Sequence, residues 1–304
     1  MMKLMPFDKT GPFYRGSLHS HTTASDGERT PERLLKMYAA NGYDFVCITD
    51  HFLSEFHFPI TVPEKPLSGL TVIPSAELHV GKTSNGWTWH MTANGLPVDF
   101  EPPKDGETTQ EIARRAVEAG AFLSIVHPGW YQLTLEDAQS IDTAHAVEVF
   151  NAGCQVMHER GDGSYLVDGL LDKGRRIWVT AVDDSHGHMP DLALAWVNVK
   201  AASSQADDLL NALKNGQFYS SEGPEIHDLD WNPETKQLTI RTTAVTRILV
   251  NGQGYLNANA CGEGITKATI DLSHFTHSPW MRIIICDCDG KKAWTNPYWF
   301  EDLS

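Results

Sequence analysis

Several features that would settle a protein's class outright are missing from this chain. No stretch approaches the roughly 18 consecutive apolar residues of a membrane span, and no membrane partner is expected. Positive charge is scarce: 24 Lys and Arg stand against 39 Asp and Glu, a formal charge of −15. That balance opposes long-range attraction to nucleic acid or to an anionic surface. Cysteine is sparse too, and the five residues (Cys47, Cys154, Cys261, Cys286, Cys288) are odd in number and irregularly spaced, which argues against a disulfide framework. Cys286-x-Cys288 is too isolated to read as a zinc site. Met1 to Arg15 carries Lys3, Asp8 and Lys9 but lacks the apolar centre of a secretory signal, so cytoplasmic residence is expected. No Gly-x-Ser-x-Gly elbow and no Gly-rich phosphate loop stands out, which turns attention away from serine nucleophiles and backbone phosphate cradles.

What is present is an alternation of apolar runs and amphipathic segments over about the first 220 residues, as in strand and helix units around a mainly parallel sheet or barrel. Tyr14 to His19 reads as a strand. Thr30 then caps a helix that has Pro31 at its first position and Leu34, Leu35 and Tyr38 on one face, and Gly42 stops it. Phe45 to Thr49 and Leu70 to Pro74 read as buried strands. Thr108-x-x-Glu111 has the form of a capping box before Ile112, Ala113, Ala116 and Val117. Further strands are expected at Phe122–Val126, Ala146–Phe150 and Ile177–Val182, with a helix near Leu166 to Lys173. Beyond Gly223-Pro224 helical patterns vanish: Leu238, Ile240 and Thr242 alternate, Arg247–Val250 and Met281–Cys286 read as strands, and Asn251-Gly252 and Asp289-Gly290 suit hairpin turns. The expected division is an α/β unit over residues 1–224 followed by a small β-rich domain over 225–304.

Polar residues of metal-ligating type recur at the ends of the apolar runs. His19-x-His21 puts two imidazoles on one side of an extended segment, because side chains alternate with period two. Asp26 follows in the loop, Asp50-His51 ends the second run, Glu77 follows the third, and His90 lies in Trp87-x-Trp89-His90 on an expected returning strand. His127 ends the next run, and Asp184 and His186 follow the last. Two histidines on a strand are usually structural; recurrence after five separate runs reverses that reading, since such barrels carry their chemistry at these strand ends. Carboxylates mixed with imidazoles, and no thiolate beside them, suit Zn, Mn or Fe. Of the fourteen histidines, those at 145, 158, 227, 274 and 277 are assigned surface or packing roles.

These segments, Leu18-His19-Ser20-His21-Thr22, Ile48-Thr49-Asp50-His51, Ser75-Ala76-Glu77, His127-Pro128 and Asp184-Ser185-His186, resemble the signatures of the PHP (polymerase and histidinol phosphatase) superfamily of metal-dependent hydrolases, and they occur in that family's order. Tyr43 to His51, Gly174-Arg175-Arg176 and Phe218-Tyr219-x-x-x-Gly223-Pro224 are similar to its carbaryl-hydrolase-like metalloesterase branch. The resemblance implies a distorted seven-stranded (β/α) barrel holding two or three divalent metal ions. One would be bound by His19, His21, Glu77 and Asp184. Glu77 would bridge to a second held by His90 and His127, and a third would use Asp26, His51 and His186. Small nucleotide phosphatases of the superfamily carry Arg shortly after His-Pro, whereas this chain has Gly129-Trp130-Tyr131.

The chemistry implied is hydrolysis by a metal-bridging hydroxide, with a small-molecule phosphoester as the first substrate class. A carboxylic ester or carbamate is the alternative, which Trp130 in place of a cation favours. A non-catalytic, metal-stabilised binding module is the third reading. Asp184 is the residue on which turnover is expected to depend, and His79 and His188 are candidate proton donors to the leaving group. Asn151, Trp130 and Arg160 are candidate substrate contacts.

Overall fold

The computed structural model describes residues 1–65 and 67–303. A short β1 (Met2–Lys3) precedes β2 (Phe13–Ser17), and α1 (Pro31–Ala40) begins where the Thr30 side chain accepts the Arg33 amide. Its Leu34, Leu35 and Tyr38 pack against β3 (Phe45–Ile48), whose four residues are all buried. β3 and the two-residue β4 (His51–Phe52) both lie parallel to β5 (Thr71–Leu78), and β2 lies parallel to β3. β6 (Met91–Asn94) then returns antiparallel to β5. α2 (Thr109–Glu118), opened by the Thr108–Glu111 capping box, leads to β7 (Phe122–Ile125), and after α3 (Leu135–Ser140) comes β8 (Ala146–Asn151). α4 (Ala152–His158) and α5 (Ser164–Asp172) separate β8 from β9 (Trp178–Val182), and β7, β8 and β9 are parallel.

This is a mixed α/β architecture, but the expected regular alternation breaks at β6, which is antiparallel to both β5 and β7. The segment from Gly81 to His90 folds back on itself, with Lys82 bridging Thr88, and so delivers β6 without a helix. An antiparallel return needs no crossover, whereas a parallel one does. The two ends of the strand run meet: Ser20 bridges Ser185 in parallel, the His21 amide donates to the Ser185 carbonyl at 2.9 Å, and the Asp184 amide donates to the His19 carbonyl at 3.1 Å. The loops that follow β2 and β9 therefore lie side by side.

β10 (Trp196–Lys200) pairs antiparallel with β2, and α6 (Ala206–Lys214) leads to β11 (Phe218–Ser221) beside β10. A β-rich layer follows: β12 (Ile226–Asn232), β13 (Gln237–Gly252), β14 (Asn257–Asp271), β15 (Trp280–Cys286), β16 (Lys292–Thr295) and β17 (Tyr298–Trp299). The segments that read as separate strands around Leu238 and Arg247 are one long β13 whose register against β14 shifts between Arg241 and Arg247. Asn251-Gly252 is not the turn it resembles. Asn251 still pairs with Asn257, the reversal lies beyond Gly252, and Gly252 is packed so tightly that a Cβ there would sit 2.7 Å from the Phe275 ring. Asp289-Gly290 does lie in a reversal, closed by the Asp287 amide donating to the Lys291 carbonyl.

Pairing continues across residue 224. β11 pairs with β16, and β1 pairs with β12, so Leu4 is buried in the same core as Leu229, Ile240 and Ile283. The layer is fixed to the rest by Arg282, 1% exposed, whose Nε and Nη2 donate to the two oxygens of Asp168 on α5 at 2.6 and 2.9 Å. Phe150 stacks on Trp294 at 5.7 Å between centroids. Among the described residues no helix is long and apolar enough to cross a membrane.

Candidate functional site

All nine metal-ligand candidates converge at one end of the strand run. His19 and His21 follow β2, Glu77 lies in β5, His51 opens β4, His90 directly precedes β6, His127 follows β7, and Asp184 and His186 follow β9. Two of them stand on unusual backbone: His127 at φ 31° and Asp184 at φ 52°. Positive φ is disfavoured for residues other than Gly, and such positions persist where surrounding structure forces them. The His127 amide donates to Glu148 Oε2 at 2.6 Å, and the end of β9 is held against Gly153, where a Cβ would lie 2.7 Å from the Asp184 carbonyl oxygen. Larger residues at 153 would push Asp184 out of place.

Glu77 is the hub. Its Oε1 lies 2.9 Å from His90 Nδ1 and 3.2 Å from His127 Nε2, while its Oε2 lies 2.7 Å from His51 Nδ1 and 3.6 Å from His21 Nε2. Asp184 Oδ1 is 3.2 Å from Nε2 of both His19 and His21. Asp26, the most exposed member at 43%, sits 3.2 Å from His51 Nε2 and 3.6 Å from His186 Nε2. Ligand-type atoms gather into overlapping groups able to hold a metal ion: His21, Asp26, His51 and His186; His19, His127 and Asp184; His19, His21 and Glu77; Glu77, His90 and His127; and His51, Glu77 and His79.

Electrostatics keep the carboxylates ionised. Burial works against charge on Glu77, but His90, His51 and His79 hold it well below the usual carboxylate range, and Asp184 is held down likewise by His19, His21 and His186. Burial, with the nearby His186 and His51, pushes His21 down to about 3. Burial also takes His90 down to about 4, overcoming the pull of Glu77. His51 goes the other way: against burial, Glu77 and Asp26 raise it to about 10. Asp184 and Glu148, likewise against burial, raise His19 well above its ordinary value. His21 and His90 are therefore already in the neutral form that metal ligation requires, whereas an ion bound at His19 and His51 would displace a proton from each.

The donor set fits a divalent cation on a second ground. His19 Nε2, both ring nitrogens of His21, Glu77 Oε2 and His127 Nδ1 are buried without a hydrogen bond. Several lie within ion-pair distance of one another, yet none is aligned as an N–H···O bond. Buried polar atoms are rarely left so, and lone pairs converging on shared space are what a metal ion satisfies. Of these residues, Glu77 and His127 line a cavity of about 240 Å³ walled by Trp130, Cys154 and Met157, while His19 and His21 lie buried behind it.

No protein-family model matches the chain, and no curated protein matches it in sequence. Among solved structures, a two-domain protein from Bacteroides vulgatus, described as containing a predicted PHP-like metal-dependent phosphoesterase, superposes with a TM-score of 0.54 over 98% of each chain at 15% identity. The chain has a PHP-like fold. A proposed metal-dependent phosphoesterase from Bifidobacterium adolescentis aligns with 60% of this chain and 91% of its own at TM-score 0.42 and 16% identity. An amidohydrolase from Chromobacterium violaceum, with bound sulfate and no metal, aligns with 58% of this chain and 89% of its own at TM-score 0.41 and 14% identity.

Within this PHP-like fold the other candidate residues fall in different places. His79 is drawn into the cluster, its Nε2 2.8 Å from His51 Nδ1. His188 stands at the rim, 43% exposed, with Nδ1 3.1 Å from Glu28 Oε1. Asn151 is fully buried, and its polar atoms are all engaged: Nδ2 donates to Glu148 at 2.9 Å and to Asp184 at 3.0 Å, and Oδ1 accepts the Cys154 amide. That arrangement leaves it orienting carboxylates, not facing the cavity. Trp130 walls the cavity, whereas Arg160 lies outside it and donates to the Trp130 carbonyl at 3.1 Å. His158, assigned a surface or packing role, also lines the cavity.

Sequence reasoning missed Glu148. Its Oε1 accepts from His19 Nδ1 at 2.7 Å, and its Oε2 from the His127 amide. An ionised carboxylate only accepts, so it fixes the proton of His19 on Nδ1 and turns the Nε2 lone pair toward Asp184. Asp191 was missed as well; it accepts the amides of His186 and Gly187 and holds their loop.

Proposed function

We propose that the protein is a metal-dependent hydrolase of the PHP superfamily, with residues 1–224 forming its distorted (β/α) barrel and residues 225–304 a β-rich domain fixed against it. The observation that carries this reading is the shared carboxylate of Glu77: its two oxygens face different sets of histidines, as a bridge between metal ions would. His19, His21, Glu77 and Asp184 would hold one ion, Glu77, His90 and His127 a second, and Asp26, His51 and His186 a third, with manganese, zinc or iron suiting the donors. Bound divalent cations supply a nucleophile at neutral pH by lowering the pKa of water from about 16 to about 7, and they polarise the oxygen under attack.

The chain's own groups do the rest. Glu148 and Asn151 orient His19 and Asp184, while the wall of Trp130 and Met157 shields one side of the cavity from water. His79 is packed against His51 and Glu77, whereas His188 lines the rim of the cavity and is the candidate placed to donate a proton to a leaving group. The substrate is a small phosphoester, the class named for the neighbour that shares the fold. One observation favours a carboxylic ester or carbamate as the second reading: among the described residues no Lys or Arg lines the cavity, so the charge facing a phosphate would come from the ions alone. Placement in the carbaryl-hydrolase-like branch agrees with that second reading and rests on the sequence segments alone.

Elemental analysis of the purified protein, followed by a panel of phosphomonoesters, phosphodiesters, aryl carboxylic esters and carbamates under Mn, Zn and Fe, tests the proposal. Turnover of a phosphoester selects the first reading, and aryl-ester turnover without phosphatase activity selects the second. Metal binding with no turnover in any metal form overturns the enzyme reading and leaves a binding module.

A further inference from the structure

Beside the metal-ligand cavity lies a second one of about 500 Å³ that shares two of its walls, His90 and Trp130, and adds Trp87, Tyr131 and Arg160. His90 belongs to both, so a molecule whose reacting group reaches Glu77 and His90 can extend into this neighbouring space. Its lining pairs two indoles and a phenol with one guanidinium. The geometry points to a subsite for a planar aromatic part of the substrate that carries a negative group, the ring held by Trp87 and Trp130 and the charge by Arg160; this rests on the hydrolase reading of the adjoining cluster.

The walls are built rather than incidental. Trp87 is 62% exposed, so it contributes little to the core, yet it sits on a rigid hairpin. The Thr83 amide donates to the Trp87 carbonyl at 2.8 Å, and the Trp87 amide donates to Thr83 Oγ1 at 3.2 Å. The hairpin is in turn clipped to the loop that supplies Trp130 and Tyr131. The Ser84 amide and hydroxyl donate to Asp137 at 2.8 and 2.7 Å, and Asn85 Nδ2 donates to the Gln132 carbonyl at 3.0 Å. These bonds tie the hairpin that carries Trp87 to the loop that carries Trp130, the kind of preorganisation that lowers the ordering cost of binding a flat ring.

Arg160 is set with similar care. Its backbone passes so close to Gly129 that a Cβ at 129 would lie 2.9 Å from the Arg160 carbonyl oxygen. One guanidinium nitrogen is anchored to the Trp130 carbonyl, and among the described residues no carboxylate forms an ion pair with it. A cation with spare donors at the edge of an aromatic slot is matched by an anionic substituent. Tyr131 adds a buried hydroxyl that has no hydrogen-bond partner, 5.9 Å between ring centroids from His90.

Calorimetric titration of the metal-loaded protein with 4-hydroxybenzoate, phenol and cyclohexanecarboxylate tests the subsite without requiring turnover. 4-Hydroxybenzoate should bind best. Trp87→Ala should weaken it roughly fivefold, the size of one aromatic contact, Trp87→Phe should restore most of the loss, and Arg160→Gln should erase the preference for 4-hydroxybenzoate over phenol. Binding that is equal for all three probes, or that is unchanged by both Trp87→Ala and Arg160→Gln and disappears on metal removal, overturns the proposal, because the carboxylate would then be sitting on the ions. If the variants behave as expected and no ester is hydrolysed, the subsite stands and the hydrolase reading falls.

Discussion

Glu148→Gln is the sharpest probe of how the cluster is held. The carboxylate accepts at both ends: Oε1 from His19 Nδ1 at 2.7 Å, Oε2 from the His127 amide at 2.6 Å and from Asn151 Nδ2 at 2.9 Å. A glutamine of the same shape can accept at only one end. With its oxygen toward His19, its NH2 group faces two donors, and the unmet buried groups cost about 1–3 kcal/mol of stability. With its oxygen toward His127, the NH2 group faces His19, whose Nδ1 must then accept. The ring proton moves to Nε2, and the lone pair that faces Asp184 is lost. The second arrangement costs less in folding, so it should dominate, and the damage should appear in metal binding. Loss of a group that orients a ligand typically weakens affinity about 10- to 100-fold, or about 1.4–2.7 kcal/mol. Chelator competition gives the affinity, circular dichroism checks the fold, and nitrogen chemical shifts of the His19 ring report its tautomer. A folded variant whose affinity stays within about twofold of wild type would refute the assignment of Glu148 as the group that fixes His19.

Asp184→Asn keeps a residue type that tolerates the positive φ of 52°, so the fold should persist at a cost of about 1–3 kcal/mol for the charge lost beside His19, His21 and His186, while metal content by elemental analysis and turnover both collapse; retained metal would count against it as a ligand. For the metal-free protein, His51 is raised from 6.5 to about 10 in the folded state, so its stabilising contribution is complete below pH 6.5 and is lost as pH rises toward 10. Melting temperature measured in chelator should fall across that window, and His51→Gln should flatten the fall; an unchanged slope would be inconsistent with the Glu77 and Asp26 pairing. Asp168→Ala leaves the Arg282 guanidinium buried without its partner and should cost about 3 kcal/mol in urea unfolding, whereas Arg282→Met, which removes the charge as well, should cost less. The reverse order would show that the ion pair does not fix the β-rich layer.

The sequence made the strand-end ligands readable because each follows an apolar run that must be buried: His51 after Phe45–Ile48, His127 after Phe122–Val126, Asp184 after Ile177–Val182. Burial of the run leaves the next residue at the mouth of the fold. Glu148 was hidden by the same logic. In Ala146-Val147-Glu148-Val149-Phe150 a lone carboxylate reads as a strand's solvent-facing position, and only its bonds to the His19 ring and the His127 amide show that this face turns inward. Asp183 and Asp184 show the limit of spacing in another way. They are adjacent, but Asp183 accepts the amides of Ala193, Leu194 and Ala195 and never reaches the cluster. The returning strand expected at His90 is present as the antiparallel β6, beginning one residue later at Met91; its bounds were not legible because the hairpin before it, rich in Gly, Ser, Thr and Trp, has no period of its own.

The pairing of β1 with β12 separates the order of the chain from the order of the parts. A cut at residue 224 looks natural on paper, yet it would leave the first piece with an unmatched strand edge and an uncovered Leu4, and the second without the strand that closes one side of its sheet. Dissection at that point would therefore expose apolar surface on both pieces. A graft or fusion that respects the fold has to carry residues 1–9 along with the β-rich layer, through a linker bridging the distance that β1 spans in the intact chain.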